Sequence, residues 1–118
     1  MPLTAARMTT RVTFLIQLLL GIGLWTGRFD VVKPIHIVIG VIFVLGTWAV
    51  ALLALRAGGN AVLAGGIVAW GVLLGVFGLT QESILSTGPH WIVQVLHLLV
   101  AMVAIGLSEM LARRTFGR

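Results

Sequence analysis

Five polar side chains sit where their types and spacing could do chemistry: His36, His90, His97, Gln17 and Gln94. Each falls within or beside a long apolar stretch, where a polar group is costly and a functional role is the default reading. His36 opens the second such stretch, and His97 lies about two helical turns into the fourth. Alternate segments of a bundle run in the same direction, so both rings fall in the outer leaflet. A second and a fourth helix that face each other would aim both imidazoles at one point. Two neutral imidazoles on opposite sides of an iron are the axial set of a low-spin b-type haem. One haem b held by His36 and His97 is therefore the expected cofactor. Each histidine is followed four residues later by a small residue, Gly40 and Ala101. That spacing leaves a gap one turn away on the same helix face, where a flat macrocycle could lie against backbone. Counted from Pro34 and His90, His97 lies about 7 Å deeper than His36 at 1.5 Å per residue.

His90 precedes His97 by seven residues, on roughly the same face and nearer the headgroups. It could contact a haem propionate, or replace His36 or His97 as ligand. With Trp91 and Trp25 nearby, an interfacial belt position explains it equally simply. Arg28 and Lys33 are expected near propionates or anionic headgroups. Gln17 and Gln94 read first as interhelical hydrogen-bond glue. Thr26 and Thr80 could accept a histidine Nδ1–H, although hydroxyls at helix ends usually bond local carbonyls. Paired-carboxylate chemistry and catalytic triads lack support, because no acidic residue lies in a predicted hydrophobic core or near a histidine. Met102 and Met110 read as core fillers.

The elements that must position these side chains are membrane spans. The chain has 118 residues, 59% hydrophobic and 9% charged, with a mean hydropathy of +1.14. Soluble domains of this size are near a quarter charged, and this chain has too little polar surface to cover a water-soluble globule. The length suits one domain whose apolar excess faces lipid. The absence of cysteine excludes thiol catalysis, disulfides, thiolate zinc sites, iron–sulfur clusters and covalently attached c-type haem. The net charge of +5 comes from basic residues scattered at the ends of apolar segments, with no basic stripe, so nucleic acid is not an expected partner.

A spanning helix takes roughly 17–25 mostly apolar residues. Cutting at charged residues gives four spans at about 12–28, 34–56, 61–81 and 89–112 in a single membrane domain covering 1–118. Short connections make sequential helices antiparallel neighbours, which predicts an all-α, up-down-up-down four-helix bundle. Pro34 fits a helix start, where its missing N–H costs nothing. A signal peptide is the rival reading of Arg7–Arg11 followed by Phe14–Leu24, but no A-x-A cleavage site follows. Arg7, Arg11, Arg56, Arg113, Arg114 and Arg118 gather on one side. Arg28 and Lys33 lie on the other, offset by Asp30 and Glu82. Both termini are expected in the cytoplasm, with the chain in the inner or plasma membrane of a prokaryote. Glu109 and Arg113 have the favourable order for a helical ion pair.

Glycine is abundant, and Gly23-x-x-x-Gly27 and Gly71-x-x-x-Gly75 have the spacing of close helix contacts or of a dimer face. A weak internal repeat relates Leu19-Leu20-Gly21 and Thr26 to Leu73-Leu74-Gly75 and Thr80, 54 positions on. Each copy is followed by a proline and a histidine-bearing segment, as in parallel repeats of membrane folds.

Together these segments resemble one half of haem A synthase. Ile16-Gln17-Leu18-Leu19-Leu20-Gly21 with Leu24-Trp25-Thr26-Gly27 is similar to the first helix of such a half. Pro34-x-His36-x-x-x-Gly40 is similar to the second. Gly78-Leu79-Thr80, Pro89 and His97-x-x-x-Ala101 are similar to the third and fourth. The resemblance spans most of residues 12–112. It implies a four-helix bundle with a haem between His36 and His97, and a homodimer that would restore the family's eight helices. The family's acidic residue shortly before the second-helix histidine is replaced here by Val32, Lys33, Pro34 and Ile35, and its extracellular cysteine pair is absent. The synthase reaction therefore does not carry over with the fold.

The leading expectation is a membrane b-type cytochrome in electron transfer or haem handling, with quinone or a redox protein as partner. The alternative is a non-catalytic accessory or assembly subunit that packs against larger membrane proteins. A small transporter or channel fits poorly, since no buried charge or broken helix lies at mid-membrane.

Overall fold

A computed structural model describes residues 2–27 and 30–117. Four helices account for most of them: α1 (Pro2–Trp25), α2 (Lys33–Arg56), α3 (Ala61–Thr80) and α4 (His90–Phe116). All four are long and apolar enough to cross a membrane. In lipid every backbone N–H and C=O must be satisfied within the protein, and a helix does this alone. Large side chains cover the outside, among them Leu15, Leu19, Val62, Val76 and Leu99. The chain is an all-α four-helix bundle measuring 47 × 24 × 18 Å, an integral membrane protein by its surface.

The helix ends follow local chemistry. Pro34 sits in the first turn of α2, where no intrahelical donor is lost. The Asn60 side chain caps α3 by accepting from the Leu63 N–H at 2.8 Å. Gly117 ends α4 in the left-handed region, φ 65°. Between α2 and α3, Gly58 at φ 80° reverses the chain. A Cβ on the next residue, Gly59, would meet Thr115 Oγ1 at 2.5 Å and the Ala54 carbonyl at 2.8 Å, so this turn is pressed against the end of α4.

α1 begins at Pro2, well before the expected span start near residue 12. Arg7 and Arg11 are therefore helical, and both reach Glu109 of α4. Arg7 Nη2 donates to Glu109 Oε2 at 2.6 Å. Arg11 donates from Nε to Oε1 at 2.9 Å and from Nη2 to Oε2 at 2.8 Å. This two-pronged geometry is the strong form of the arginine–carboxylate bond. Glu109 is thus bound across the bundle, not to Arg113 as its sequence spacing suggested. The tertiary pairs replace a local one worth only a few tenths of a kcal/mol.

The core fills the half of the bundle that carries the termini. Ala51, Ala54, Ala64, Ile67 and Leu111 form one buried cluster, and Ala6, Val50 and Ala112 a second. A third, Phe43, Leu74 and Ala104, is surrounded by Phe14, Val44, Trp70, Val100, Ala101 and Ile105. Alanines at these positions let the backbones approach closely. Glycines do the same at two crossings. A Cβ at Gly46 would lie 2.7 Å from Thr10 Oγ1, and one at Gly71 would overlap the Trp48 indole nitrogen. Of the expected Gly71–Gly75 pair only Gly71 makes such a contact, since a Cβ at Gly75 would meet nothing within 4 Å, and in the other pair Gly27 lies past the end of α1 with φ 70°. α2 and α4 approach each other across the middle of the bundle, whereas α1 and α3 do not.

Candidate functional site

Beyond Phe43, Leu74 and Ala104, toward the end opposite the termini, the packing changes character. No buried apolar cluster continues there among the described residues. Gln17, Gly21, His36, Gly40, Phe77, Gly78 and His97 occupy that part of the bundle instead. His36 stands in the first turn of α2 and His97 at the end of the second turn of α4. Their ring centres are 6.4 Å apart, with the planes tilted by 58°. Both Nδ1 atoms are buried without a hydrogen-bond partner.

Glycine admits each ring. A Cβ at Gly78 of α3 would lie 3.0 Å from His97 Cε1, and one at Gly21 of α1 would lie 3.6 Å from His36 Cε1. Phe77 packs edge-on against His97, with ring centres 5.7 Å apart at 78°. The depth difference counted from the helix starts does not keep the rings apart, because α4 begins outside the level of α2. Its first residue, His90, folds back on the preceding loop.

This separation has a chemical meaning. An imidazole centre lies about 1.15 Å from each ring nitrogen, and metal–nitrogen bonds run about 2.0–2.1 Å, so two imidazoles facing across one metal have centres about 6.3–6.5 Å apart. The described residues contain no group of three or more His, Cys, Asp or Glu that could hold a metal ion. A bare zinc ion takes four ligands. Two imidazoles in an apolar surround suit a metal that brings its equatorial ligands with it, which a haem does. The donor set therefore fits that group.

The other expected site residues take different places. Gly40 is not an open gap: a Cβ there would lie 2.8 Å from Gln17 Nε2, so the Gln17 amide occupies the space. Ala101 packs at the edge of the Phe43–Leu74–Ala104 cluster. His90 Nδ1 lies 3.0 Å from the Ile84 carbonyl. A carbonyl only accepts, so His90 donates from Nδ1 and ties the loop to the start of α4. Lys33 Nζ pairs with Glu82 at 2.7 Å, both side chains exposed. Arg28, like Arg118, lies outside the described residues. Thr26 Oγ1 donates to the Gly23 carbonyl and Thr80 Oγ1 to the Val76 carbonyl, each at 2.7 Å, and neither accepts from a histidine Nδ1, since those of His36 and His97 have no partner and that of His90 meets the Ile84 carbonyl.

Three contributors had no expected role at the site: Gly21, Phe77 and Gly78. Gly21 and Gly78 stood out only as letters of short motifs, since their use depends on how α1 meets α2 and α3 meets α4. No family model matches the chain, and neither a curated protein nor a solved structure matches it.

Proposed function

We propose that this chain is a membrane haem-binding protein, a small b-type cytochrome in which His36 and His97 are the two axial ligands of one haem. The observation that carries the reading is the 6.4 Å between the two ring centres, matched to two imidazoles sharing one metal. When bound, the haem would supply one-electron exchange. The chain's own part is to aim two neutral imidazoles from α2 and α4 and to keep water away with Phe77 and the apolar helix faces. The likeness of the Gln17–Gly27, Pro34–Gly40 and Gly78–Ala101 segments to half of haem A synthase supports the same ligand pair. A homodimer would supply the eight helices of that family. The partner would be a quinone or a redox protein. The cluster of Arg7, Arg11, Arg56, Arg113 and Arg114 supports cytoplasmic termini, in a prokaryotic inner or plasma membrane.

The test is an absorption spectrum of the detergent-purified chain after haem supplementation, first oxidised and then reduced. A low-spin b-type spectrum is expected, lost in His36→Ala and in His97→Ala. A chain that takes up no haem, or a spectrum unchanged by both substitutions, overturns the reading.

One observation favours a second reading, an accessory subunit of a larger membrane complex. Gly65, Gly66 and Gly106 have open space where a Cβ would stand, and glycines facing outward allow another helix to approach. A colourless chain that co-purifies with a larger membrane protein would favour it.

A further inference from the structure

At the histidine end three buried side-chain atoms of the described residues lack partners, His97 Nδ1 of α4 and two that lie on the neighbouring helices α1 and α2. Gln17 Oε1 of α1 and His36 Nδ1 of α2 are both closed off from water without a hydrogen bond. They belong to one seam. Gln17 and Gly21 are four residues apart on one face of α1, and His36 and Gly40 are four apart on one face of α2. The pairs interlock: Gly21 lies against the His36 ring, and Gly40 receives the Gln17 amide. Gln17 therefore stands four residues of helix, roughly 6 Å, from the level of His36, on a side chain with three rotatable bonds. Among the described residues the remaining buried side-chain oxygen without a partner is Thr115 Oγ1, at the opposite end of the bundle.

We propose that Gln17 is the positioning residue for His36, its Oε1 accepting the Nδ1–H. This inference rests on the haem-binding reading. Two buried orphans each carry a desolvation penalty that one hydrogen bond removes. A histidine that ligates a metal almost always donates its other ring N–H to an acceptor, which fixes the tautomer and makes the ligating nitrogen more basic. Gln17 fixes the proton on Nδ1 and leaves the Nε2 lone pair free to ligate. Against the His97 ring stand Gly78 and the edge of Phe77, neither with a side-chain acceptor. The two ligands are therefore unequal, with His36 the more electron-donating.

The first experiment needs no haem. In the full chain in detergent, labelled with nitrogen-15 histidine and assigned with the His36→Ala variant, His36 should carry its proton on Nδ1. In Gln17→Met, which keeps the bulk and removes the acceptor, the proton should move to Nε2. The second uses the haem-loaded chain. Gln17→Met should stay low-spin but lose about tenfold in preference for ferric over ferrous iron, about 59 mV upward for one electron. An Nε2-protonated His36 in the unaltered chain overturns the Gln17 assignment. So does a loaded variant whose potential matches that of the parent. If the unaltered chain binds no haem, the proposed function falls, and the nitrogen measurement alone decides the hydrogen bond. If Gln17→Met does not accumulate, the tautomer in the unaltered chain still decides.

Discussion

Gly78→Ala is the sharpest perturbation of the histidine pair. The added Cβ would stand 3.0 Å from His97 Cε1, whereas ordinary carbon–carbon contact needs about 3.5–4.0 Å. The ring must retreat by about 0.5 Å or more, or α3 must part from α4 by as much. Metal–ligand distances hold to about ±0.2 Å, so this displacement exceeds what a ligated imidazole tolerates. Overpacking of this kind costs about 1–3 kcal/mol. If it falls wholly on the bound state, that is roughly a five- to 150-fold loss of haem affinity. The assay is a haem titration of the detergent-solubilised chain, followed by the rise of the Soret band. Gly75→Ala is the control: it lies on the same helix three residues earlier, with nothing within 4 Å of the new Cβ. That control should bind as the parent does. If Gly78→Ala takes up haem with parental affinity and an unchanged low-spin spectrum, the contact between α3 and the His97 ring has no bearing on ligation.

The remaining expectations concern the loop, the clamp and the crossing. His90→Ala should keep the low-spin spectrum, because its ring nitrogen serves the Ile84 carbonyl; loss of that spectrum would make His90 a ligand. Glu109→Gln removes the carboxylate that pairs with Arg7 and Arg11, whose side chains are 16% and 44% exposed. A fall of about 1–3 kcal/mol in stability is expected, short of the 3–5 typical of a fully buried pair, read from unfolding in mixed detergent; an unchanged midpoint would mean that the ion pairs do not hold α1 to α4. Gly71→Ala drives a Cβ into the Trp48 indole and to 3.2 Å from Val44, and should cost about 1–3 kcal/mol by the same measurement, whereas Gly65→Ala, in open space, should not.

The number of helices, their connections and the two residues that meet were legible in the chain, and the reason is chemical. Apolar runs cut by charges mark spans in helical membrane proteins, and histidines inside such runs stand out because little else there is polar. What escaped depends on side chains that meet only after folding. Arg7 and Arg11 looked like the end of a span because their partner, Glu109, is 102 and 98 residues away. Gly40 looked like empty space because the amide that fills it comes from α1. Gly23 and Gly27 have the spacing of a contact face, but a left-handed turn at Gly27 breaks it. Rise per residue put His97 too deep, since such counting assumes that helices start level.

The uneven filling of the bundle has a consequence for how anything flat gets inside. Alanine-rich clusters and the Arg7–Arg11–Glu109 bridge fasten the half with the termini, while the other half has the exposed Lys33–Glu82 pair, a loop and the packing around His36, His97 and Val93, with no buried apolar cluster among the described residues. Local opening is cheapest where few buried apolar contacts are lost. If the proposed haem is taken up after folding, the histidine end is where the helices would part at least cost, with the far end still fastened. Insertion of the chain into lipid and entry of the proposed haem would then be separate events, the second leaving the first intact.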